Sequence, residues 1–201
     1  MTQAELLEIL TSDVVEGAKS LLGGTLVKGN LRARIVETEA YRGEDDPGSH
    51  SYGKTKMKNM ALFGPPGRSY IYFTYGNHWM LNISALPDGI SGGILIRAAE
   101  PLEGIEEMQI NRPVPVKNLL SGPGKLAQAF AITGADNDHN LIFDPAFKII
   151  APPARTKNIT IGPRVGLAKG KGEATLWRFI DAERADWASS PKVVNLTLRN
   201  D

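Results

Sequence analysis

Two glutamates two residues apart, Glu37 and Glu39, are the side chains of this sequence best suited to chemistry. They lie in a strand-like run that ends at Tyr41, and alternate side chains of an extended chain share a face, so all three point the same way. A carboxylate beside an aromatic ring at a strand end can act as a general base on a water molecule. His50 follows a Gly- and Asp-rich loop and, with Tyr41, offers a flat surface for a planar substrate. Taken alone, the segment fits an ordinary strand with solvent-facing glutamates better than it fits a catalytic pocket.

A second aromatic cluster surrounds the pair Gly76-Asn77. Two apolar runs flank this pair, which predicts a hairpin with a tight turn, Gly76 at its first central position and Tyr75 at its tip. An aromatic tip in a stretch without acids could wedge between base pairs, although packing over a neighbouring loop explains it at least as well. Tyr70 and Tyr72 share a face and could stack on a base, whereas Phe73 on the other face is expected to fill the core.

Composition restricts the class of protein. The chain has 201 residues, 42% of them hydrophobic and 22% charged, which is typical of one soluble globular domain. It has no cysteine, and its 3 histidines lie too far apart in sequence to predict a zinc site. The chain lacks an apolar run of membrane-spanning length, and residues 1–5 lack the pattern of a signal peptide. We therefore expect a cytoplasmic protein that does not bind membranes.

The distribution of charge is more informative than the net charge of +1. From Pro47 to Pro87 there is no acid, while Lys54, Lys58 and Arg68 are among the bases. The stretch from Arg155 to Arg178 is also basic. If both stretches share a face, that face could neutralise DNA phosphates, although solvated lysines on scattered loops fit the counts equally well.

Hydrophobic periodicity and turn residues predict an α+β fold in a single domain, residues 1–201, with an antiparallel sheet. Ser12 or Asp13 is expected to cap a helix that Gly23-Gly24 ends. The remaining elements are predicted as follows: strands at 25–28, 31–41, 69–75, 78–85, 92–98, 148–150 and 177–181, and helices at 102–111 and 123–133.

Two further features allow more than one interpretation. Ser121-Gly122-Pro123-Gly124-Lys125 opens a helix, where simple capping is the first interpretation and phosphate binding by Lys125 the second. Arg97 interrupts an apolar strand, and a half-buried arginine needs a carboxylate partner, so we expect Glu37, Glu39 or Glu100 close to it.

Together these segments resemble the alkyladenine, or mammalian-type, family of 3-methyladenine DNA glycosylases over most of the chain. The family's motifs occur here in order, at 34–41, 45–50, 63–67, 70–84, 95–101, 121–126 and 162–166. The resemblance implies a single α+β domain with a curved antiparallel sheet, surrounding helices and a protruding hairpin. It also implies a monofunctional enzyme, without metal or cofactor, that flips an alkylated or deaminated purine such as 3-methyladenine or hypoxanthine from duplex DNA. Hydrolysis of the N-glycosidic bond would then initiate base excision repair.

The resemblance assigns roles to individual residues. The general base falls on Glu39, with Arg97 near the catalytic water. Base stacking falls on Tyr41, His50 and Tyr72, base discrimination on Asn82, and the intercalating wedge on Tyr75. Contacts with the DNA backbone are expected from Lys58, Lys125 and Arg164. We expect a monomer, associated with the nucleoid in a bacterium or nuclear in a eukaryote.

One segment departs from the family pattern. Relatives often carry Thr-Pro-Arg-Asn where this chain has Lys56-Met57-Lys58-Asn59, so Lys58 replaces an arginine and offers a point charge without the planar fork. Two other functions remain open at this stage, a non-catalytic nucleic-acid-binding module and a glycoside hydrolase using Glu37 and Glu39. The second is disfavoured, because residues two apart on one strand flank a scissile bond poorly.

Overall fold

One long strand, β2 (Leu31–Tyr41), runs through the middle of the sheet in this computed structural model. The structure describes residues 1–54, 61–74 and 76–190, and the backbone of residues 197–199. The other strands are β1 (Thr25–Lys28), β3 (Ser69–Thr74), β4 (His78–Ser84), β5 (Gly93–Glu103), β6 (Phe147–Ile150), β7 (Asn158–Gly162), β8 (Arg178–Asp181) and β9 (Thr197–Arg199).

All pairings between these strands are antiparallel, and one path of the sheet has the order β3-β4-β5-β2-β8-β7-β9. One edge of β2 pairs with β5 over most of its length. The other edge is shared, because β1 pairs with residues 31–34 and β8 with residues 37–39. The second half of β2 therefore lies between β5 and β8, whose arginines face its glutamates.

The helices are α1 (Gln3–Ser12), α2 (Val14–Ser20), α3 (Ile105–Asn111) and α4 (Pro123–Ala129). Asp13 caps α2 by accepting from the amides of Val15 and Glu16, at 2.6 and 3.0 Å. Thr38 donates to the carbonyl of Ala18 in α2 at 2.8 Å, which ties this helix to one face of β2. Glu37, Glu39 and Tyr41 then project from the opposite face, since strand side chains alternate. The predicted α+β fold with a curled antiparallel sheet and helices is confirmed.

Several boundaries differ from the predictions. The strand β5 continues to Glu103, where its pairing with Arg32 holds it extended, so α3 begins only at Ile105, after Gly104. The helix predicted over 123–133 ends at Ala129. Helix α1 and strands β7 and β9 were not predicted.

Within the described ranges, no helix is long and apolar enough to span a membrane.

Candidate active site

A pocket of about 290 Å³ opens where β2 ends. Its wall combines aromatic rings with a few polar side chains. The site residues predicted from the sequence that line it are Tyr41, His50, Tyr72, Asn82 and Arg97, and Tyr70 joins them. Residues from β2, β3, β4 and β5 therefore meet around one cavity, together with the loop that carries His50 and the loop at 165–167.

The aromatic wall is formed by His50, Tyr70 and Tyr72. The ring of His50 stands edge-on to that of Tyr72, with centroids 4.3 Å apart, and its Nδ1 lies 3.2 Å from the hydroxyl of Tyr70. Burial, with a contribution from the charge of Lys54, lowers the pKa of His50. Burial also raises the pKa of Tyr70 to about 12. At neutral pH the wall is therefore uncharged and offers flat apolar surfaces.

Glu39 lies directly behind the pocket wall, with its side chain 0% exposed. Its Oε2 accepts from the Tyr41 hydroxyl at 2.8 Å, and its Oε1 accepts from the Val165 amide at 2.8 Å and lies 3.3 Å from Nη1 of Arg97. All three partners line the pocket. Burial raises the pKa of Glu39, although Arg97, the Val165 amide and the Tyr41 hydroxyl each oppose the rise.

Arg97 has the carboxylate partners that the sequence led us to expect. Its Nε donates to Oε1 of Glu37 at 2.9 Å, and its Nη1 is the group close to Glu39. Burial disfavours the charged guanidinium, but the two glutamates outweigh that cost and raise the pKa of Arg97. Glu100, the third candidate, instead faces the half-buried Arg34 and Arg184.

Glu37 is also fully buried, and its carboxylate is engaged within the protein. Its Oε1 accepts from Arg97, from Nε of Arg178 at 2.6 Å and from the hydroxyl of Ser189 at 3.0 Å. Its Oε2 accepts from the Ser189 amide at 2.6 Å. Glu37 is thus a structural anion that holds two arginines, and it does not line the pocket.

Arg164 has a different position from the one predicted. We expected it to contact the DNA backbone, but its side chain is 0% exposed. Nη1 and Nη2 bind the two carboxylate oxygens of Asp46 at 2.6 and 2.8 Å, and the guanidinium lies 4.7 Å from the ring of Tyr41. Because the group is engaged inside the protein, this structure offers no exposed donor of Arg164 to a phosphate, and we do not carry that role further.

Asn82 lies on β4 and is 5% exposed at the pocket. Its side-chain amide donates to the carbonyl of Tyr70 on the neighbouring strand at 3.1 Å. This bond fixes the orientation of the amide relative to the aromatic wall, as a residue that discriminates between bases would require.

The hairpin of β3 and β4 differs in detail from the prediction. Thr74 pairs with His78, so the connection has three residues, and Gly76 adopts the left-handed conformation with φ of 72° at its middle. Phe73 does not fill the core but packs against Trp79 at 4.9 Å and is 51% exposed. Tyr75, the predicted wedge, lies outside the described residues.

The predicted basic face is only partly formed. Arg164 and Arg178 are buried, and Arg155 lies 3.5 Å from Glu16. Lys125 is exposed beside Pro123, a pocket residue, and Lys171 lies over the exposed ring of Tyr52 at 5.9 Å. Lys58 lies outside the described residues. Exposed lysines thus remain near the pocket, and their contact with DNA stays a prediction.

Comparison with known proteins identifies the family. A family model described as Methylpurine-DNA glycosylase (MPG) matches residues 8–185. The chain belongs to the methylpurine-DNA glycosylase family. Three curated relatives bear the name "Putative 3-methyladenine DNA glycosylase" and come from Koribacter versatilis, Nitrosospira multiformis and Rhodopseudomonas palustris. The Koribacter protein is 43% identical over 75% of this chain and 77% of its own length. The Nitrosospira protein is 43% identical over 82% of this chain and 83% of its own length. The Rhodopseudomonas protein is 44% identical over 83% of this chain and 79% of its own length. The protein is thus a DNA glycosylase of the kind that repairs alkylated bases.

The sequence analysis missed several residues of this glycosylase site. Val165 contributes its backbone amide, which no side-chain pattern reveals. Arg178 was noted only as the end of a basic stretch, and Asp46 only as part of the family motif at 45–50. Ser189, which binds Glu37 twice, lies beyond the segment that the family model matches.

Proposed function

We propose that this glycosylase flips an alkylated or deaminated purine, such as 3-methyladenine or hypoxanthine, out of duplex DNA into the pocket. Glu39 then deprotonates a water molecule that attacks the sugar carbon, the N-glycosidic bond breaks, and the free base and an abasic site are the products. The observation that carries the proposal is the buried carboxylate of Glu39 behind an aromatic pocket, held by three donors that line that pocket.

The pocket wall suits a damaged purine. Alkylation at a ring nitrogen makes the base electron-poor or cationic, and a cationic ring is attracted to the faces of Tyr41 and Tyr72. His50 contributes a neutral ring because its pKa is lowered, so it does not repel such a base. Opening a damaged pair also costs less than opening a normal pair, which itself favours lesions.

Glu39 has the acceptor capacity that water activation requires. An ionised carboxylate has about four lone-pair positions, two on each oxygen. Oε1 accepts from the Val165 amide and lies 3.3 Å from Nη1 of Arg97, whereas Oε2 accepts only from Tyr41 among the contacts observed. The second position of Oε2 is the one we assign to the attacking water. Arg97, next to this carboxylate, stabilises its ionised form.

Glu37 does not act as a second catalytic carboxylate in this proposal. Four donor groups from three residues bind it, and it does not line the pocket. A carboxylate that Arg97 and Arg178 hold in this way is not placed against a sugar. This arrangement argues against the paired-carboxylate mechanism of glycoside hydrolases.

The deciding experiment is single-turnover release of 3-methyladenine by the Glu39→Gln variant. Base release is expected to fall by about 100-fold or more, the lower range for a general base. Binding to lesion-containing duplex is expected to stay near normal, because Glu39 does not line the pocket. Glu100→Gln, a partly exposed glutamate on β5, is the matched control and is expected to retain activity.

Two results would contradict the proposal. Substantial base release by Glu39→Gln would remove Glu39 as the base. A covalent adduct trapped by borohydride would indicate attack on the sugar by a lysine instead of water. Parallel assays on matched duplexes with 3-methyladenine and hypoxanthine test the substrate range, and sedimentation of the free protein tests the expected monomer.

A further inference from the structure

A cluster of charged groups adjoins Glu39, and its members Glu37 and Arg178 do not line the pocket. Glu37 is at its centre and binds both Arg97 and Arg178, through Nε at 2.9 and 2.6 Å. The side chains of these two arginines are 7% and 2% exposed. Water therefore screens their charges weakly, and each charge acts strongly on its neighbours.

Arg178 is placed to act on Glu39 without touching the pocket. The two residues are direct partners on β8 and β2, so their side chains lie on the same face of the sheet. The guanidinium of Arg178 reaches diagonally to Glu37 and also donates to the carbonyl of Ser189 at 3.1 Å. Arg178 does not line the pocket.

The charges of the cluster balance only when both glutamates are ionised. Arg97 and Arg178 contribute two positive charges, and Glu37 compensates for one of them. Without Arg178, Arg97 would be fully compensated by Glu37, and ionised Glu39 would leave one uncompensated negative charge in the interior, which is costly.

We propose that Arg178 is a positioning residue that keeps Glu39 ionised, by supplying the second positive charge of this cluster through its hold on Glu37. The inference rests on the proposed role of Glu39 as general base. Ser189 completes the cluster, because its hydroxyl accepts from Nη2 of Arg97 at 3.1 Å and donates to Glu37 at 3.0 Å. The segment after β8 is thereby tied to the catalytic residues.

The other groups that face Glu39 do not replace Arg178. Arg97 is the nearest charge, the Tyr41 hydroxyl and the Val165 amide are neutral donors, and Glu37 is a like charge. The Arg164 guanidinium lies 4.7 Å from the Tyr41 ring, but Asp46 compensates for its charge. Removing Arg178 thus changes the net charge around Glu39 from zero to minus one.

The test compares Arg178→Gln with Arg178→Lys in the full-length protein. Glutamine keeps a hydrogen-bond donor without the charge, and lysine keeps the charge without the planar fork. Two quantities are measured over a range of pH: the single-turnover rate of 3-methyladenine release, and the carboxyl ¹³C NMR titration of Glu39. The Glu39 signal is assigned by its loss in Glu39→Gln.

For Arg178→Gln we expect the titration midpoint of Glu39 to rise by about one pH unit or more, as expected for the loss of a nearby opposite charge. The acid limb of the rate profile is expected to move by the same amount, while the rate at high pH recovers to the wild-type plateau. Arg178→Lys keeps the positive charge, so its Glu39 titration midpoint and acid limb are expected to lie close to those of the wild type. Arg32→Met, which removes a half-buried arginine from β2 that pairs with Glu103, is the control and should leave both curves in place.

The inference would be overturned if Arg178→Gln left the Glu39 titration midpoint unchanged and lowered the rate of base release by the same factor at every pH. Arg178 would then have only a structural role. If Arg178→Gln does not fold, Ser189→Ala serves instead. It removes one donor from Glu37 and one acceptor from Arg97, so it should move the midpoint in the same direction by less, and an unmoved midpoint again refutes the inference. A moved midpoint without a moved acid limb would support the charge role of Arg178 and refute Glu39 as the base.

Discussion

The buried pair of Arg164 and Asp46 permits a test that separates a structural role from DNA contact. The guanidinium forms two parallel bonds with the carboxylate and also donates to the carbonyl of Ala40 at 3.0 Å. Asp46 additionally accepts from the amides of Arg42 and Gly48, both at 3.0 Å. Arg164 therefore ties the loop that leads to His50 to the loop whose next residue, Val165, binds Glu39.

Arg164→Met leaves Asp46 buried without its partner charge. Breaking a buried ion pair from one side costs about 3–5 kcal/mol of unfolding free energy. For a chain of this length, 1 kcal/mol corresponds to about 2–4 °C, so we expect the melting temperature to fall by about 6–20 °C. The double variant Arg164→Met/Asp46→Asn should lose less than the sum of the single variants, because neither charge then remains unpaired.

Thermal unfolding followed by circular dichroism measures these changes, and salt-dependent binding to duplex DNA is the second assay. Lys171→Met, an exposed residue of the same region, is the control, with an unchanged melting temperature expected. The reasoning would be refuted if Arg164→Met kept its melting temperature and instead lost DNA affinity in a salt-dependent way, since a phosphate contact behaves like that.

The same pair of residues predicts that the stability of the folded protein depends on pH. Burial raises the pKa of Asp46, but the bonds from Arg164 and from the two amides outweigh it and lower the pKa below its ordinary value of 3.8. A lowered pKa in the folded state stabilises the protein above the unfolded pKa, and this contribution is lost as the pH falls through the folded value. The difference in stability between the wild type and Asp46→Asn should therefore be fully present above about pH 3.8 and shrink below it.

Two further predictions concern the site. Asn82→Ala should release guanine-type bases faster relative to hypoxanthine on matched duplexes, and an unchanged ratio in a folded variant argues against discrimination by Asn82. Tyr75→Ala should lose affinity for lesion DNA at an unchanged melting temperature, whereas a large fall in that temperature would favour packing of Tyr75.

The parts of the fold with a strong local pattern were predictable. Alternation and turn residues indicated β1 to β4 to within one residue at each end and the start of β5, because the β1–β2 and β3–β4 connections are short hairpins. Helix α1 also had a local signal that was overlooked, since Thr2 and Glu5 form a capping box before the buried Leu6. Strand β7 (Asn158–Gly162) is short and forms through its pairing with β8 and β9, which the sequence does not display.

The residues of the site likewise divide into those that were predicted from the sequence and those whose position was not. The family resemblance assigned Tyr41, His50, Tyr72 and Asn82 to the binding of the base, and the structure brings them to one pocket. Whether an arginine is buried depends instead on a partner that is remote in sequence. Asp46 lies 118 residues from Arg164, and Glu37 lies 141 residues from Arg178. Until that partner is located, a basic residue at position 164 or 178 is as consistent with a phosphate contact as with a buried ion pair.

The buried charges also explain why the near-neutral net charge is a poor guide to the DNA-facing surface. Three arginines, Arg97, Arg164 and Arg178, are compensated inside the protein by Glu37, Glu39 and Asp46. These six charges sum to zero, so we predict that attraction to DNA comes from exposed basic residues such as Lys125 and Lys171. Burying so many charges is costly, and well-packed apolar residues would often stabilise a core more. In the proposed mechanism the cluster serves catalysis, because an apolar interior could not keep Glu39 ionised.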